Sequence, residues 1–168
     1  MGIRKIVAKD EATFTCSKEK VFQALVNLET YSTWWPCIID FRGVQMTTHV
    51  VGSKTDVHPF WVTCFHYEIE HVEEHAEIVF RYSGPACRGV GIWRIGTDGL
   101  RCIASYEIDL IVQSRFLKLV SHGISLNWIH SMLMRWMFRN FRLFLQQKTE
   151  IGSSVHVEVV GVRGMGQK

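Results

Sequence analysis

The sequence predicts an α+β fold, in which a curved antiparallel sheet packs its apolar face on one long C-terminal helix. Three observations carry this. Hydrophobicity alternates with period two through most of residues 37–112. From about residue 125 to 148 the period becomes helical. Two short helical segments follow the first alternating run, and no Pro/Gly/Ser-rich tract divides the chain. At 168 residues this is one domain, with a surface that area scaling buries to roughly 70%. Residues 3–150 are read as that domain and 151–168 as a C-terminal extension.

The elements follow in order. Residues 3–16 form a first strand, with Ala12, Phe14 and Cys16 alternating against Glu11, Thr13 and Thr15. Ser17 is placed to cap a helix, Glu19 complements its dipole, and Val21, Phe22, Leu25 and Leu28 share its buried side. Tyr31 to Trp35 makes a second short helix that Pro36 stops. Strands then run through Ile39 and Phe41; Trp61, Thr63, Phe65, Tyr67 and Ile69; Ile78, Phe80 and Tyr82; Gly91, Trp93 and Ile95; and Cys102, Ala104, Tyr106, Ile108 and Leu110. Gly84-Pro85 and Thr97-Asp98-Gly99 supply turns. On the long helix, with an interruption at Gly123, a helical wheel gathers Ile129, Met132, Leu133, Trp136, Asn140, Leu143 and Phe144 in a sector of about 120°. Val155, Val157 and Val159 alternate once more, as a strand for an edge of this sheet or of another chain, or as a frayed end.

Composition excludes several function classes. A net charge of +3, without a dense basic run, argues against a nucleic-acid module. Five cysteines, widely spaced and without CxxC, make neither a zinc knuckle nor a disulfide framework, and read as buried reduced thiols. The longest stretch without a charged residue, Leu119 to Met134, is too short and polar for stable membrane insertion. The expected location is cytoplasmic, with no metal and no cofactor.

Most motif matches dissolve on their spacing. His71-Val-Glu-Glu-His75 has the inverted zinc-protease pattern, which needs a helix turn; on a strand the two rings stand about 13 Å apart. They read as turn histidines. Ser17-Lys-Glu-Lys20 matches an acyl-enzyme signature without its companion motifs, and Ser17 is already a cap. Gly89-Val-Gly91 precedes a strand instead of a helix, so it is no nucleotide loop. Arg135, Arg139 and Arg142 form a basic stripe, chiefly a solvated helix face, with an anionic partner as the alternative.

The rings are the unusual feature: six Trp, ten Phe and four Tyr. Trp61, Phe65, Tyr67, Phe80, Tyr82, Trp93 and Tyr106 fall on the sheet's apolar side, expected to face Trp136. Such rings tile poorly between a bent sheet and one helix, and three of them carry hydroxyls that need partners. A lined cavity accounts for them better than a solid core. Asn140, in the apolar sector of the helix, either bonds a neighbour or meets a ligand oxygen or a water.

This order of elements, with Val21-Phe22 opening the first helix, Tyr31…Trp34-Trp35-Pro36 closing the second, and Gly91-Ile92-Trp93 with Gly99…Tyr106 in the last hairpin, resembles the START-like (SRPBCC, Bet v 1-like) superfamily. The likeness, over about residues 5–148, is greatest to its polyketide cyclase/dehydrase and lipid-transport group. It implies a helix-grip fold enclosing a hydrophobic cavity, and no universal catalytic motif. The expected function is binding of a hydrophobic small molecule such as a lipid, isoprenoid or polyketide. Its contacts would be Phe41, Trp61, Phe65, Tyr67, Phe80, Tyr82, Trp93, Tyr106, Met132, Trp136 and Asn140. The alternative is a cyclase, aromatase or dehydratase acting in the same cavity, with a tyrosine, His130 or His66 as acid/base and no catalytic residue assigned. A homodimer is the candidate assembly, and a module binding a partner through its arginine stripe is a third reading.

Overall fold

The computed structural model describes residues 4–61, 64–114 and 126–154, without the side chains of 126–127 and 148–154. Strand β1 (Arg4–Phe14) leads through Ser17 into helix α1 (Lys18–Val26), a single 3-10 turn (Leu28–Thr30) and helix α2 (Tyr31–Trp34). Six strands follow: β2 (Ile39–Gln45), β3 (Lys54–Pro59), β4 (Phe65–Glu73), β5 (Glu77–Ser83), β6 (Cys87–Asp98) and β7 (Arg101–Val112). The long helix, α3, spans Leu126–Ser154. The expected helix lead-in around Gly123 and the strand at Val155–Val159 lie outside the described residues.

The strands form one antiparallel sheet in the order β1-β7-β6-β5-β4-β3-β2. Only the β1–β7 step leaves the meander, pairing Arg4 with Val112 and Phe14 with Cys102. A register shift between Arg42 and Gln45 in β2, beside Gly43 at φ 60°, and another between Ile69 and His71 in β4 bend the sheet. Its outer face carries exposed ion pairs, Glu70–Arg81, Arg94 with Glu77 and Glu107, and Lys5–Asp109. These keep the face wet and contribute little stability.

The inner face is the apolar one, and its parity matches the sequence pattern from β5 to β7. Ile78, Phe80, Tyr82, Trp93, Ile95, Cys102, Ala104, Tyr106, Ile108 and Leu110 are all buried. Helices α1 and α2 close one end. Ser17 Oγ accepts from Lys20 N at the head of α1, and Val21, Phe22 and Leu25 turn inward. The buried Tyr31 hydroxyl donates to Leu25 O at 2.5 Å, which locks α2 against α1.

Three sequence expectations are corrected. Trp61 is not in a strand: Phe60 and Trp61 both take left-handed backbone (φ 55° and 56°), which ends extension after Pro59. The inward face of α3 is Met134, Met137, Phe138, Phe141 and Leu145, about 130° round the helix from the sector picked out by the wheel. Trp136 and Met132 point outward, 42% and 41% exposed, and Asn140 is half-buried at the margin. The helix also runs to Ser154, past the expected end at 148. Phe141 is what fixes its rotation, sitting 4.5 Å from Trp34 and edge-on to Phe14 at 5.4 Å between ring centroids.

Candidate functional site

Between the sheet and the first turns of α3 lies a cavity of about 160 Å³ with almost wholly carbon walls. β1 supplies Ile6; the turn after α2 supplies Trp35; β2 to β4 supply Ile39, Phe41, Val57, Phe65 and Tyr67. Tyr82, Cys87, Tyr106, Ile108 and Leu110 form the floor, and Ile129, His130, Leu133 and Met134 of α3 form the roof. At the mouth stands Phe60, 39% exposed.

Alternation places the tyrosines. Tyr67, Tyr82 and Tyr106 occupy inward positions of β4, β5 and β7, with Tyr67 opposite Tyr82 in register. Tyr106 pairs with Trp93 of β6, on which it stacks at 4.5 Å. The Tyr82 and Tyr106 hydroxyls hydrogen-bond each other. They meet over Gly91, where an added Cβ would stand 2.8 Å from Tyr106 Oη and 2.8 Å from Tyr82 Cε2. The absent side chain of Gly91 is thus the space that the hydroxyl pair fills. Burial pushes Tyr67 and Tyr82 well above the usual phenol range and Tyr106 up to about 12, so all three are neutral hydrogen-bonding groups. Trp35 Nε1 and Trp93 Nε1 are buried without a hydrogen-bond partner among the described residues, and Tyr67 is enclosed by the Tyr31, Phe80 and Tyr82 rings.

A polar pair sits at the other end. β1 alternates inward at Ile6, Ala8, Asp10, Ala12 and Phe14, which brings the Asp10 carboxylate under α3. Asp10 Oδ2 is 3.3 Å from His130 Nδ1 and accepts from Ser131 Oγ at 3.2 Å. The His130 ring lies nearly parallel to Tyr106, 6.3 Å between centroids. Burial holds its imidazole below the ordinary value, and Asp10 opposes that shift.

The structure sorts the expected contact residues. Phe41, Phe65, Tyr67, Tyr82 and Tyr106 line the cavity. Phe80 and Trp93 stand behind the wall, stacked on Tyr67 at 4.1 Å and on Tyr106. Trp61, Met132 and Trp136 are exposed, and Asn140 does not reach the cavity. His66 lies on the outer face, its Nδ1 2.6 Å from Asp56. Sequence reasoning missed Asp10, although the parity of Ala12 and Phe14 continued two residues back finds it. It missed Trp35 as a wall residue for want of any periodic signal in a turn.

Other candidates find structural roles. Arg142 Nε donates to Thr13 O at 3.2 Å with its guanidinium over the Phe14 ring, so the arginine stripe loses its third member to packing. His71 lies within β4, paired with Val79, and His75, in the turn after it at φ 59°, packs edge-on against Phe22. Cys87 and Cys102 are buried thiols pushed up to about 12 and about 11 by desolvation. Among the described residues no three His, Cys, Asp or Glu converge as a metal site, and no helix is long and apolar enough to cross a membrane.

No protein-family model and no curated protein sequence matches the chain. Solved structures do. A START superfamily protein from Mycobacterium smegmatis aligns with TM-score 0.64 at 11% identity, over 87% of this chain and 99% of that one. The di-domain ARO/CYC StfQ from the steffimycin biosynthetic pathway gives TM-score 0.66 at 10% identity, over 87% of this chain and 52% of its own. Protein CV1439 from Chromobacterium violaceum gives 0.62 at 11%, over 84% and 96%. With an open antiparallel sheet, two short helices after its first strand and a long C-terminal helix across its inner face, the chain has the START-like helix-grip fold.

Proposed function

We propose that the protein binds a hydrophobic small molecule in the cavity between sheet and α3. The observation that carries this is the cavity itself: about 160 Å³, walled by carbon, in a domain with rings enough to have filled it. A ring-sized ligand burying roughly 200 Å² gains about 5 kcal/mol, a Kd near 0.2 mM before any polar contact. Lipids, isoprenoids and polyketides are the expected classes, with the cavity holding one segment of such a molecule. Five unpaired cysteines suit a reducing compartment such as the cytoplasm.

The test is extraction and mass spectrometry of natively purified protein, set beside Ala86→Leu. Ala86 is fully buried on the cavity wall, and the larger side chain takes the ligand's place. A co-purifying apolar molecule lost from the variant supports binding. No bound molecule, and no affinity of the wild type for small apolar probes, refutes it.

One observation favours a second reading, a cyclase or dehydratase in the same cavity. An inward carboxylate, Asp10, stands 3.3 Å from a wall histidine, His130. Burial keeps that imidazole neutral and so able to accept a proton, with Asp10 placed to steady the cation formed. Loss of turnover on a polyketone substrate in His130→Gln, with ligand affinity retained, would separate this reading from simple binding.

A further inference from the structure

We propose that the outer face of α3 docks this protein on an anionic membrane surface, with Phe60 and Trp61 at the cavity mouth entering the headgroup layer beside it. Docking of this face does not depend on what the cavity holds. It adds a second partner, a lipid surface, to the ligand proposed above.

The helix period defines the face. Met134, Met137, Phe138, Phe141 and Leu145 pack on the sheet. On the far side Trp128, Met132, Trp136, Arg139 and Leu143 fall within a sector of about 80°, and Arg135 borders it. Trp128 is 57% exposed and Leu143 52%, so four large apolar side chains stand out along about 22 Å of helix. Single apolar residues scattered on a surface are ordinary; a row of them with two indoles marks a contact site. The mouth turn extends the row. Phe60 lines the cavity together with Ile129 and Leu133, the chain neighbours of Trp128 and Met132. Trp61 is 61% exposed, and both it and Phe60 are held in left-handed backbone. Bulky residues rarely take that conformation, and where they do they cluster at functional sites.

Charge decides what covers this face. From Leu126 to Gln147 the helix carries three Arg and no Asp or Glu. Arg142 is held by Thr13 O and the Phe14 ring, whereas Arg135 and Arg139 are exposed, beside and within the apolar row. A second copy laid against this face would bring those guanidiniums toward their like, with no carboxylate to meet them. Indoles and arginines interleaved on one helix side, without acids, are the composition of helices that lie in a membrane interface. There the rings sit at headgroup level, and the arginine heads reach phosphates while their stems stay among carbon. The contact is peripheral, because the other side of α3 is committed to the sheet.

The experiment is co-sedimentation of the full chain with vesicles of mixed phosphatidylcholine and phosphatidylglycerol, set beside vesicles of phosphatidylcholine alone. Wild type is expected to bind the anionic vesicles more tightly, and less so as salt is raised. Arg135→Gln/Arg139→Gln is expected to bind them about ten- to thirty-fold more weakly. Arg88→Gln/Arg101→Gln removes the same charge from the outer face of the sheet, and is expected to change affinity less than about three-fold. Trp61→Ser/Trp136→Ser is expected to lose about ten-fold. All six sites are exposed, so each variant is expected to melt with the wild type.

Docking is overturned if wild type does not bind anionic vesicles at low salt, or if the arginine pair on α3 matters no more than the pair on the sheet. Binding that survives Trp61→Ser/Trp136→Ser overturns it too, since the contact would then be through charge alone. A dimer in sedimentation equilibrium that Trp136→Ser splits would assign the face to a second copy instead. Ala86→Leu, with its cavity blocked, is expected to dock like wild type; if it does not, vesicle lipid is entering the cavity as ligand and the face is not the dock. Should docking fail while natively purified protein carries an apolar molecule, the ligand-binding reading stands.

Discussion

Gly91 offers the sharpest test of how the tyrosine floor is built. Replacing it with alanine puts a methyl group 2.8 Å from Tyr106 Oη, 2.8 Å from Tyr82 Cε2 and 3.2 Å from Tyr106 Cζ. Ordinary carbon contacts begin near 3.4 Å, so each ring must retreat by about 0.6 Å. Retreat is open only toward the cavity whose floor they form, and it breaks contacts: Tyr106 is stacked on Trp93, and Tyr82 packs against Phe65 and Tyr67. Overpacking of this kind costs about 1–3 kcal/mol. At about 2–4 °C per kcal/mol for a chain of this size, a 2 kcal/mol loss lowers Tm by about 4–8 °C. Urea denaturation should show the midpoint moving with the slope unchanged. The cause is isolated by a cycle with Tyr106→Phe, which removes the nearest oxygen. Gly91→Ala should cost about 1 kcal/mol less in that background. A Gly91→Ala protein within 0.5 kcal/mol of wild type, or a cycle without coupling, would refute the close packing of hydroxyls over Gly91.

Other predictions concern the helix and the polar pair. Met137→Ala, at a fully buried site, should cost about 2–5 kcal/mol, whereas Met132→Ala, largely exposed, should cost under about 1 kcal/mol; equal losses in urea melts would contradict the rotation assigned to α3. His130 has its folded pKa lowered, so the unfolded chain binds the extra proton. Its contribution to stability is complete above the ordinary imidazole value near 6.5 and declines as pH falls from there to the folded pKa. Melting wild type and His130→Gln between pH 4 and 8 should show the variant with a shallower fall; parallel curves would mean His130 does not titrate in this way. Asp10→Asn, which removes the charge facing His130, should steepen that fall, because Asp10 is what supports the cation.

Much of this fold was legible in the residue pattern, for physical reasons that also mark where legibility ended. Strand parity is strict, so once Phe80, Trp93 and Tyr106 were placed inside, their neighbours two residues away followed. The same rule failed at Trp61, because two left-handed residues interrupt the strand and nothing in Pro59-Phe60-Trp61 requires them. The helix was harder. α3 carries a second apolar band, with Trp128, Met132, Trp136 and Leu143 each at least 41% exposed, and a wheel cannot tell such a band from the buried one. Its rotation is decided by Phe141 meeting Phe14 and Trp34, contacts that span more than a hundred residues of chain. The buried hydroxyls were partly visible, as tyrosines at inward positions. Their pairing was not, since Tyr82 and Tyr106 meet only because β6 between them has a glycine at the crossing.

The pairing of β1 with β7 has a consequence in time. Its paired residues lie 88 (Phe14 and Cys102) to 108 (Arg4 and Val112) positions apart in sequence, while the other strand pairs join neighbours in the chain. Closing a loop of that length is an entropic toll met before any contact rewards it, and contacts of high sequence separation go with slow folding. Ile6, Asp10 and the roof helix therefore come together late, after the meander. During synthesis the first strand must wait for the seventh to emerge. The cavity belongs to the finished chain alone, and a molecule that fits it would hold the last step closed, raising the barrier to unfolding as well as the equilibrium stability.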